Sequence, residues 1–340
     1  MSKIINVVSG KGGTGKTLLS AVLAEMLSKA GATVLVIDLD IFVRGLTALL
    51  YYQENGSIQI VDANDLSVSD FFKAKGEVSP NRQVSISRYR SFDVFPSVSI
   101  VDEILNFKDM MPNNLEEANK ILNSIFKHVG KDYDYIFLDS RAGYDELIAA
   151  AHQLSDFSLC VEEDDNISKI TSDNLVSQLR KDSTKSVLRV RNKVRDIKAT
   201  NSSETAGVAF VGSIPFDADV MNNFGEESFW SQIGKSIYKD ALTNVWNSLA
   251  KKMRLPYKLE SNRIGPVPTK SVEKKLTKLS TINRIIFMYG ILITLFSIFA
   301  LFSGREFFTN LIKDPIRLIA LFSSIVGIGL TVISVINNRK

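Results

Sequence analysis

The chain has 340 residues, and its 41 lysines and arginines nearly balance its 37 aspartates and glutamates, for a formal net charge of +4. That length accommodates one or two domains with a large core, and the nearly balanced charge gives no indication of a nucleic-acid-binding protein. The single cysteine, Cys160, excludes an internal disulfide and is typical of a reducing compartment.

Strand and helix patterns alternate along most of the chain. Strands are predicted at residues 4–8, 33–38, 92–95, 135–139, 157–161, 187–190 and 209–213. Helices are predicted at residues 18–30, 114–129, 144–153, 168–180 and 238–252. This alternation predicts the α/β class, with a mostly parallel sheet covered by helices on both faces. Ligands of such sheets bind at the carboxyl ends of the strands.

A glycine-rich turn, Ser9-Gly10-Lys11-Gly12-Gly13-Thr14-Gly15-Lys16-Thr17, joins the first strand to the first helix. Its spacing matches the phosphate-binding loop of P-loop NTPases, in which backbone amides and a helix N-terminus surround a phosphate. Lys16 is expected to reach the β- and γ-phosphates, and the Thr17 hydroxyl to ligate Mg²⁺. The nucleotide-binding residues predicted here are Gly10, Lys11, Gly12, Gly13, Thr14, Gly15, Lys16, Thr17 and Leu18.

Two further strands end in carboxylates. One apolar strand ends in Asp38 and Asp40, and another ends in Asp139, followed by Gly143. Acids at strand ends beside a phosphate-binding loop are placed to hold Mg²⁺ or its water ligands. The predicted metal ligands are Thr17, Asp38, Asp40 and Asp139. The Gly143 amide is expected near the γ-phosphate, because glycine has no obstructing side chain.

The segment from Lys11 to Thr17 resembles the deviant Walker A motif of the MinD/ParA family of P-loop ATPases. The resemblance implies an ATP hydrolase that uses ATP and Mg²⁺ and forms an ATP-dependent homodimer, with Lys11 contacting the partner subunit's nucleotide. It also implies that Asp40 positions the attacking water and that Asp139 acts through Mg²⁺. The catalytic residues implied in this way are Lys11, Lys16, Asp40 and Asp139.

Later segments are similar to the same family. Asn192-Lys193 resembles the adenine-recognition pair, and 212–217 resembles a segment beside the base, which implies base contacts for Pro215 and Asp217. The resemblance covers residues 1 to about 255, which are predicted to form the ATPase domain.

Two features depart from the family pattern, and a third, a basic cluster, is open to several interpretations. Arg141 replaces a proline and is interpreted either as a cation near a phosphate or a partner, or as a surface residue. The acidic run 162–165 is either a partner site or a solvated loop. The basic cluster 180–198 is a candidate for DNA binding, for a membrane-facing role or for a solvated surface.

The C-terminal part of the chain has a different composition. Residues 256–281 are predicted to be a linker, rich first in proline and glycine and then in lysine, before a transmembrane hairpin at 282–340. Its spans, about 285–303 and 318–336, contain no charged residue. No secretory signal precedes the first strand, and basic flanks favour the cytoplasmic side. We therefore expect a multi-pass protein of the inner membrane, with the ATPase domain and both termini in the cytoplasm.

Together these features predict a membrane-anchored ATPase that dimerises through its nucleotide and hydrolyses ATP to switch or position an unidentified protein partner at the lipid bilayer. Two alternatives stay open. One is an enzyme similar to bacterial tyrosine kinases, whose P-loop domain is related. The other is a nucleotide-gated membrane scaffold with negligible turnover.

Overall fold

The structure is a computed structural model that describes residues 2–53, 60–62, 65–130, 132–195, 208–226 and 228–260. The described residues form a sheet of eight strands: β1 (Lys3–Ser9), β2 (Val34–Asp38), β3 (Ser87–Tyr89), β4 (Phe92–Phe95), β5 (Tyr135–Ala142), β6 (Phe157–Glu163), β7 (Ser186–Val194) and β8 (Ala209–Pro215). Their order across the sheet is β3-β4-β2-β5-β1-β6-β7-β8. All neighbouring strands are parallel except β3 and β4.

Helices cover both faces of this sheet. They are α1 (Lys16–Lys29), α2 (Gly45–Gln53), α3 (Val68–Lys73), α4 (Phe107–Met110), α5 (Leu115–Val129), α6 (Glu146–Leu154), α7 (Asn166–Asp182), α8 (Ala218–Asn223), α9 (Phe229–Ile233) and α10 (Ile237–Met253). One core cluster packs α1 and α10 against the sheet, with Trp246 fully buried. A second cluster packs α3, α5 and α6 against the other face. The predicted α/β fold is confirmed.

Helix α5 illustrates how local sequence sets these elements. It begins after Asn114, whose side chain accepts a hydrogen bond of 2.9 Å from the Glu117 amide. Apolar residues at helical spacing, from Ala118 to Val129, form its buried face. The helix ends at Gly130, whose φ of 80° favours glycine.

The elements that the sequence did not predict are short or peripheral. Strand β3 is an antiparallel edge strand of three residues, and α3, α4, α8 and α9 have six residues or fewer. Segments of this length carry too few periodic positions to be distinguished from loops. The sequence also does not predict helix α2, because its mostly apolar residues show no amphipathic periodicity.

The predicted location in the membrane is contradicted. Within the residues that the structure describes, no helix is both long and apolar enough to span a bilayer. The longest helices, α7 and α10, have 17 residues each and are components of the α/β fold. The predicted spans 285–303 and 318–336 lie outside the described residues, as does the rest of the predicted hairpin. The domain boundary at residue 255 stays a prediction.

Candidate nucleotide-binding site

The loop between β1 and α1 depends on glycine for its conformation and for its packing. Gly13 and Gly15 have φ values of 78° and 91°, in the left-handed region that favours glycine. A Cβ atom on Gly10 would lie 2.3 Å from the carbonyl carbon of Thr171 in α7. The Gly10 position therefore lets α7 pack directly against the loop.

The loop faces a cavity of 570 Å³ at the carboxyl ends of the strands. The predicted residues that line it are Gly12, Gly13, Gly15, Lys16, Thr17, Leu18, Asp40 and Lys193. Residues that the sequence did not assign to a nucleotide also line it: Phe42, Val43, Phe107, Ser140, Arg141, Ala142, Met221 and Phe224. The cavity thus combines a polar loop with apolar walls, as ligand pockets commonly do.

Lys16, at the start of α1, lies inside this site. Its ammonium donates a hydrogen bond of 2.9 Å to Ser9 Oγ, which in turn donates one of 2.7 Å to the Lys11 carbonyl. Burial lowers the pKa of Lys16, and the negative charge of Asp139 opposes this effect. A phosphate at the loop would supply the negative charge that favours the ammonium form.

The predicted carboxylates differ in burial: Asp38 and Asp139 are buried, whereas Asp40 lines the cavity. Asp139 accepts a hydrogen bond of 2.7 Å from the Thr17 hydroxyl, and burial raises its pKa to about 6. Asp38 is its register partner on β2 and is completely buried, where it accepts hydrogen bonds from the amide and hydroxyl of Thr47 at 2.9 and 2.8 Å. Burial and the adjacent Asp139 raise the pKa of Asp38 to about 7. Asp40 lines the cavity itself.

Thr17 and Asp40 therefore line the cavity, whereas Asp139 is buried behind Thr17 and does not line it. Asp38 is also buried and is bonded to Thr47. Within the described part of the chain, no cluster of three or more His, Cys, Asp or Glu side chains is placed to hold a metal ion.

Lys11 is paired within its own chain. Its Nζ lies 2.7 Å from Glu163 Oε2 and 2.8 Å from Asp165 Oδ2. Hydrogen bonds to Asp165 and Glu163 raise the pKa of Lys11. The other oxygen of Glu163 lies 2.8 Å from Lys193 Nζ, which also donates to the Gly13 carbonyl. The acidic run therefore contacts Lys11 of the loop and Lys193 of β7, while Asp164 and Asp165 stay exposed.

The residues predicted near the base are only partly brought together. Asn192 is buried and donates a hydrogen bond of 2.8 Å to the Thr14 carbonyl, while Lys193 lines the cavity. Pro215 ends β8, and Asp217 accepts a hydrogen bond of 3.2 Å from the Val220 amide at the start of α8. Pro215 and Asp217 are not among the cavity-lining residues.

Gly143 lies beside the loop but directs its amide elsewhere. Its N–H donates a hydrogen bond of 2.9 Å to the Ser9 carbonyl, which ties the end of β5 to β1. The expected contact of this amide with a γ-phosphate stays a prediction.

The basic cluster contains cations that the fold itself neutralises. Arg189 is 4% exposed and lies 3.4 Å from Glu162 and 2.5 Å from Asp173. Arg191 lies 3.5 Å from Glu162. These two side chains therefore form ion pairs between β6, β7 and α7. Residues 196–198 of the cluster lie outside the described residues.

Comparison with known proteins shows which family the chain resembles. A family model described as an AAA domain matches residues 2–190, more than half of the chain. An ATP-binding protein of Methanocaldococcus jannaschii is 30% identical over 161 residues, which are 46% of this chain and 52% of that protein. The septum site-determining protein MinD of Thermotoga maritima is 30% identical over 145 residues, 42% of this chain and 45% of the relative. The chain belongs to the MinD/ParA family of P-loop ATPases.

The chain spans about half the length of these two curated relatives. Solved MinD/ParA structures share its fold at lower identity. MinD of Pyrococcus horikoshii, complexed with Mg-ADP, has a TM-score of 0.54 and 19% identity, covering 74% of this chain and 97% of that one. A plasmid partition protein of Borrelia burgdorferi, bound to AMPPNP, has a TM-score of 0.56 and 18% identity, covering 74% and 100%.

Sequence reasoning missed the apolar walls of this MinD/ParA site. The rings of Phe42 and Phe107 contact each other at a tilt of 34°, with their centroids 5.0 Å apart, although 65 positions separate them in the sequence. Phe42 follows Asp40 closely and could have been noticed for that reason. Phe107, Met221 and Phe224 lie in segments with no recognisable motif, so only the fold reveals their place.

Proposed function

We propose that the chain is an ATP hydrolase that binds ATP with Mg²⁺, forms a nucleotide-dependent homodimer and uses hydrolysis to switch a partner protein. One observation carries the proposal. The Thr17 hydroxyl lies 2.7 Å from Asp139, and Thr17, Lys16 and Asp40 line one cavity at the phosphate-binding loop. This arrangement supports the proposal, because phosphoryl transfer to water depends on positioned cations and carboxylates around the phosphates.

The donor set fits magnesium. Mg²⁺ prefers oxygen ligands and is commonly held by a few protein oxygens together with substrate phosphates. Thr17 would be its protein ligand, with Asp139 and Asp40 nearby to hold its water ligands. Burial raises the pKa of Asp139, and the charge of a bound Mg²⁺ would favour its ionised form, as this role requires. Bound Mg²⁺ would neutralise charge on the phosphates.

The residues of the chain then bind and orient the reactants. The amides of the loop and of the first turn of α1 donate hydrogen bonds to phosphate oxygens, and Lys16 adds a positive charge. Asp40, at the cavity wall, orients the attacking water. Little covalent work is left for the protein, because positioning and charge neutralisation provide most of the rate enhancement.

A dimer and a partner are proposed from the family. MinD of Aquifex aeolicus has been solved in complex with MinC, at 22% identity to this chain. In this chain, Lys11 lies on the loop but is paired with Glu163, so dimerisation requires that this pair open.

The proposal is tested on the full chain by measuring Mg²⁺-dependent phosphate release from ATP and binding of AMPPNP. We expect Lys16→Ala to lose both, because its cation is removed from the phosphates. Lys235→Ala, an exposed lysine outside the cavity, is the matched control and keeps both. No nucleotide binding by the wild type would refute the proposal. Transfer of the phosphate to tyrosine, or binding without turnover, would favour a kinase or a scaffold instead.

A further inference from the structure

Arg141 occupies a position that the motifs of the site do not explain. It lies in β5, two residues after Asp139, and its side chain is 24% exposed. Together with Lys16, Thr17 and Asp40 it lines the candidate nucleotide cavity. The guanidinium is therefore only partly exposed and lies in the wall of the candidate nucleotide cavity.

Three contacts hold this guanidinium. Its Cζ lies 5.0 Å from the centre of the Phe107 ring, and Nε lies 3.1 Å from Asp145 Oδ2. Nη1 lies 3.4 Å from the sulfur of Met111, which is a weak acceptor. Guanidinium carries five N–H donors, so these contacts leave donors for a further anionic ligand.

Two ring contacts connect Arg141 to the segment that carries Asp40. Phe107 packs against Phe42, whose ring centre is 5.0 Å away, and Phe42 follows Asp40 by two residues. In the proposed function, Asp40 orients water toward the terminal phosphate. The guanidinium therefore lines the same cavity as Asp40 and is linked to its segment through Phe107 and Phe42.

Asp145 gives the guanidinium a partner within the chain. Its Oδ2 meets Arg141, while its Oδ1 accepts a hydrogen bond of 2.9 Å from the Ile148 amide at the start of α6. A γ-phosphate would compete with one oxygen of Asp145 for the same cation. Planar guanidinium suits this exchange, because it binds carboxylates and phosphates with similar geometry.

We propose that Arg141 is a specificity-determining residue that favours nucleoside triphosphate over diphosphate, by supplying a cation at the γ-phosphate end of the cavity. The inference rests on the proposed function, since it needs a nucleotide at this loop. It differs from the role implied for Lys11, because Arg141 acts in its own subunit and Lys11 would act in the partner's. It also gives a purpose to the replacement of the usual proline.

The test compares the dissociation constants of AMPPNP and ADP, each with Mg²⁺, measured by titration calorimetry on the full chain. We expect Arg141→Gln to weaken AMPPNP binding about tenfold and ADP binding less than about twofold, since one charge-assisted hydrogen bond is lost only with the triphosphate. Arg141→Lys keeps the charge and should recover part of the preference. Arg88→Gln removes an exposed arginine that pairs with Asp93 and is the matched control.

For a second variant we expect the opposite change in the preference for AMPPNP over ADP. Asp145→Asn removes the competing charge but keeps a side chain that caps helices equally well. We expect it to raise the preference for AMPPNP severalfold. This variant and Arg141→Lys also decide the matter if Arg141→Gln fails to fold.

An AMPPNP-to-ADP ratio that is unchanged in Arg141→Gln and Asp145→Asn overturns the inference and leaves the proposed function intact. A ratio that moves in the same direction in both variants also overturns it. Failure of the wild type to bind either nucleotide overturns the proposed function, and this inference with it.

Discussion

Lys11 Nζ lies 2.7 Å from Glu163 Oε2 of the same chain. The lysine that the family resemblance assigns to the partner subunit's nucleotide is thus bound, in this structure, by the last residue of β6. Asp165 adds a second contact of 2.8 Å. Both pairs are partly exposed, so each contributes about 1 kcal/mol or less. Ion pairs this weak can be replaced by contacts of Lys11 in a dimer interface.

The first prediction concerns this pair. The double variant Glu163→Gln/Asp165→Asn frees Lys11, and Asn at position 165 can still cap α7, where Asp165 accepts a hydrogen bond from the Ser168 amide. We expect the dissociation constant of the AMPPNP-bound dimer to fall about fivefold, which corresponds to about 1 kcal/mol. Sedimentation velocity over a range of protein concentrations measures the constant.

Lys11→Ala is the complementary variant and should lose the dimer. ADP is the ligand control, since the resemblance implies a dimer with ATP. A dimer constant that is the same in the wild type and the double variant would show that the contacts with Glu163 and Asp165 do not restrain Lys11.

The second prediction separates binding from turnover at Asp40. Asp40→Asn keeps the size of the side chain but weakens its hold on the attacking water. We expect phosphate release to fall by about 100-fold or more, while AMPPNP binding stays within about threefold. Lys16→Ala, in contrast, should lose both. Equal losses of binding and turnover in Asp40→Asn would place Asp40 in nucleotide binding instead.

The sequence predicted the fold and the polar half of the site for physical reasons. Glycine spacing, apolar strands and terminal acids are local signals, and the parallel sheet brings them to one edge because strand ends converge there. Asp139 and Thr17, 122 positions apart, meet at 2.7 Å in this way. The local motif that marks such a residue as functional therefore also predicts its position in the fold.

The rest of the site depends on contacts without a local signal. The sequence of the acidic run does not predict the contact between Glu163 and Lys11. Its negative charges could equally be neutralised by a partner protein or hydrated by solvent. Arg141 was interpreted in two ways for the same reason, and its place in the cavity wall depends on Phe107, which a separate segment provides. Pairing between side chains of distant segments depends on the tertiary structure, so the composition of one loop does not determine it.

The third prediction follows from the raised pKa of Asp38. Its pKa is 3.8 in the unfolded chain and about 7 in the folded one, chiefly because of burial and then because of Asp139. Folding therefore takes up a proton between these values, and the free energy of unfolding falls as the pH rises from about 4 to about 7.

Asp38→Asn removes this titration, so we expect a flatter pH dependence and a gain of about 1 kcal/mol or more at pH 8 relative to the wild type. Urea unfolding at a series of pH values, without nucleotide or Mg²⁺, measures the difference. A wild type and a variant with parallel pH profiles would contradict the assignment of the slope to Asp38.

The last prediction uses two glycines of the same loop as a matched pair. A Cβ on Gly10 would lie 2.3 Å from the carbonyl carbon of Thr171, a backbone atom of α7 that cannot move alone. A Cβ on Gly12 meets no atom within 4 Å. We expect Gly10→Ala to destabilise the nucleotide-free chain by about 2 kcal/mol or more, and Gly12→Ala by less than about 0.5 kcal/mol. Thermal unfolding of both variants measures the difference. Similar melting temperatures would show that α7 can withdraw from the loop, and the close packing of α7 on Gly10 would then have no role in stability.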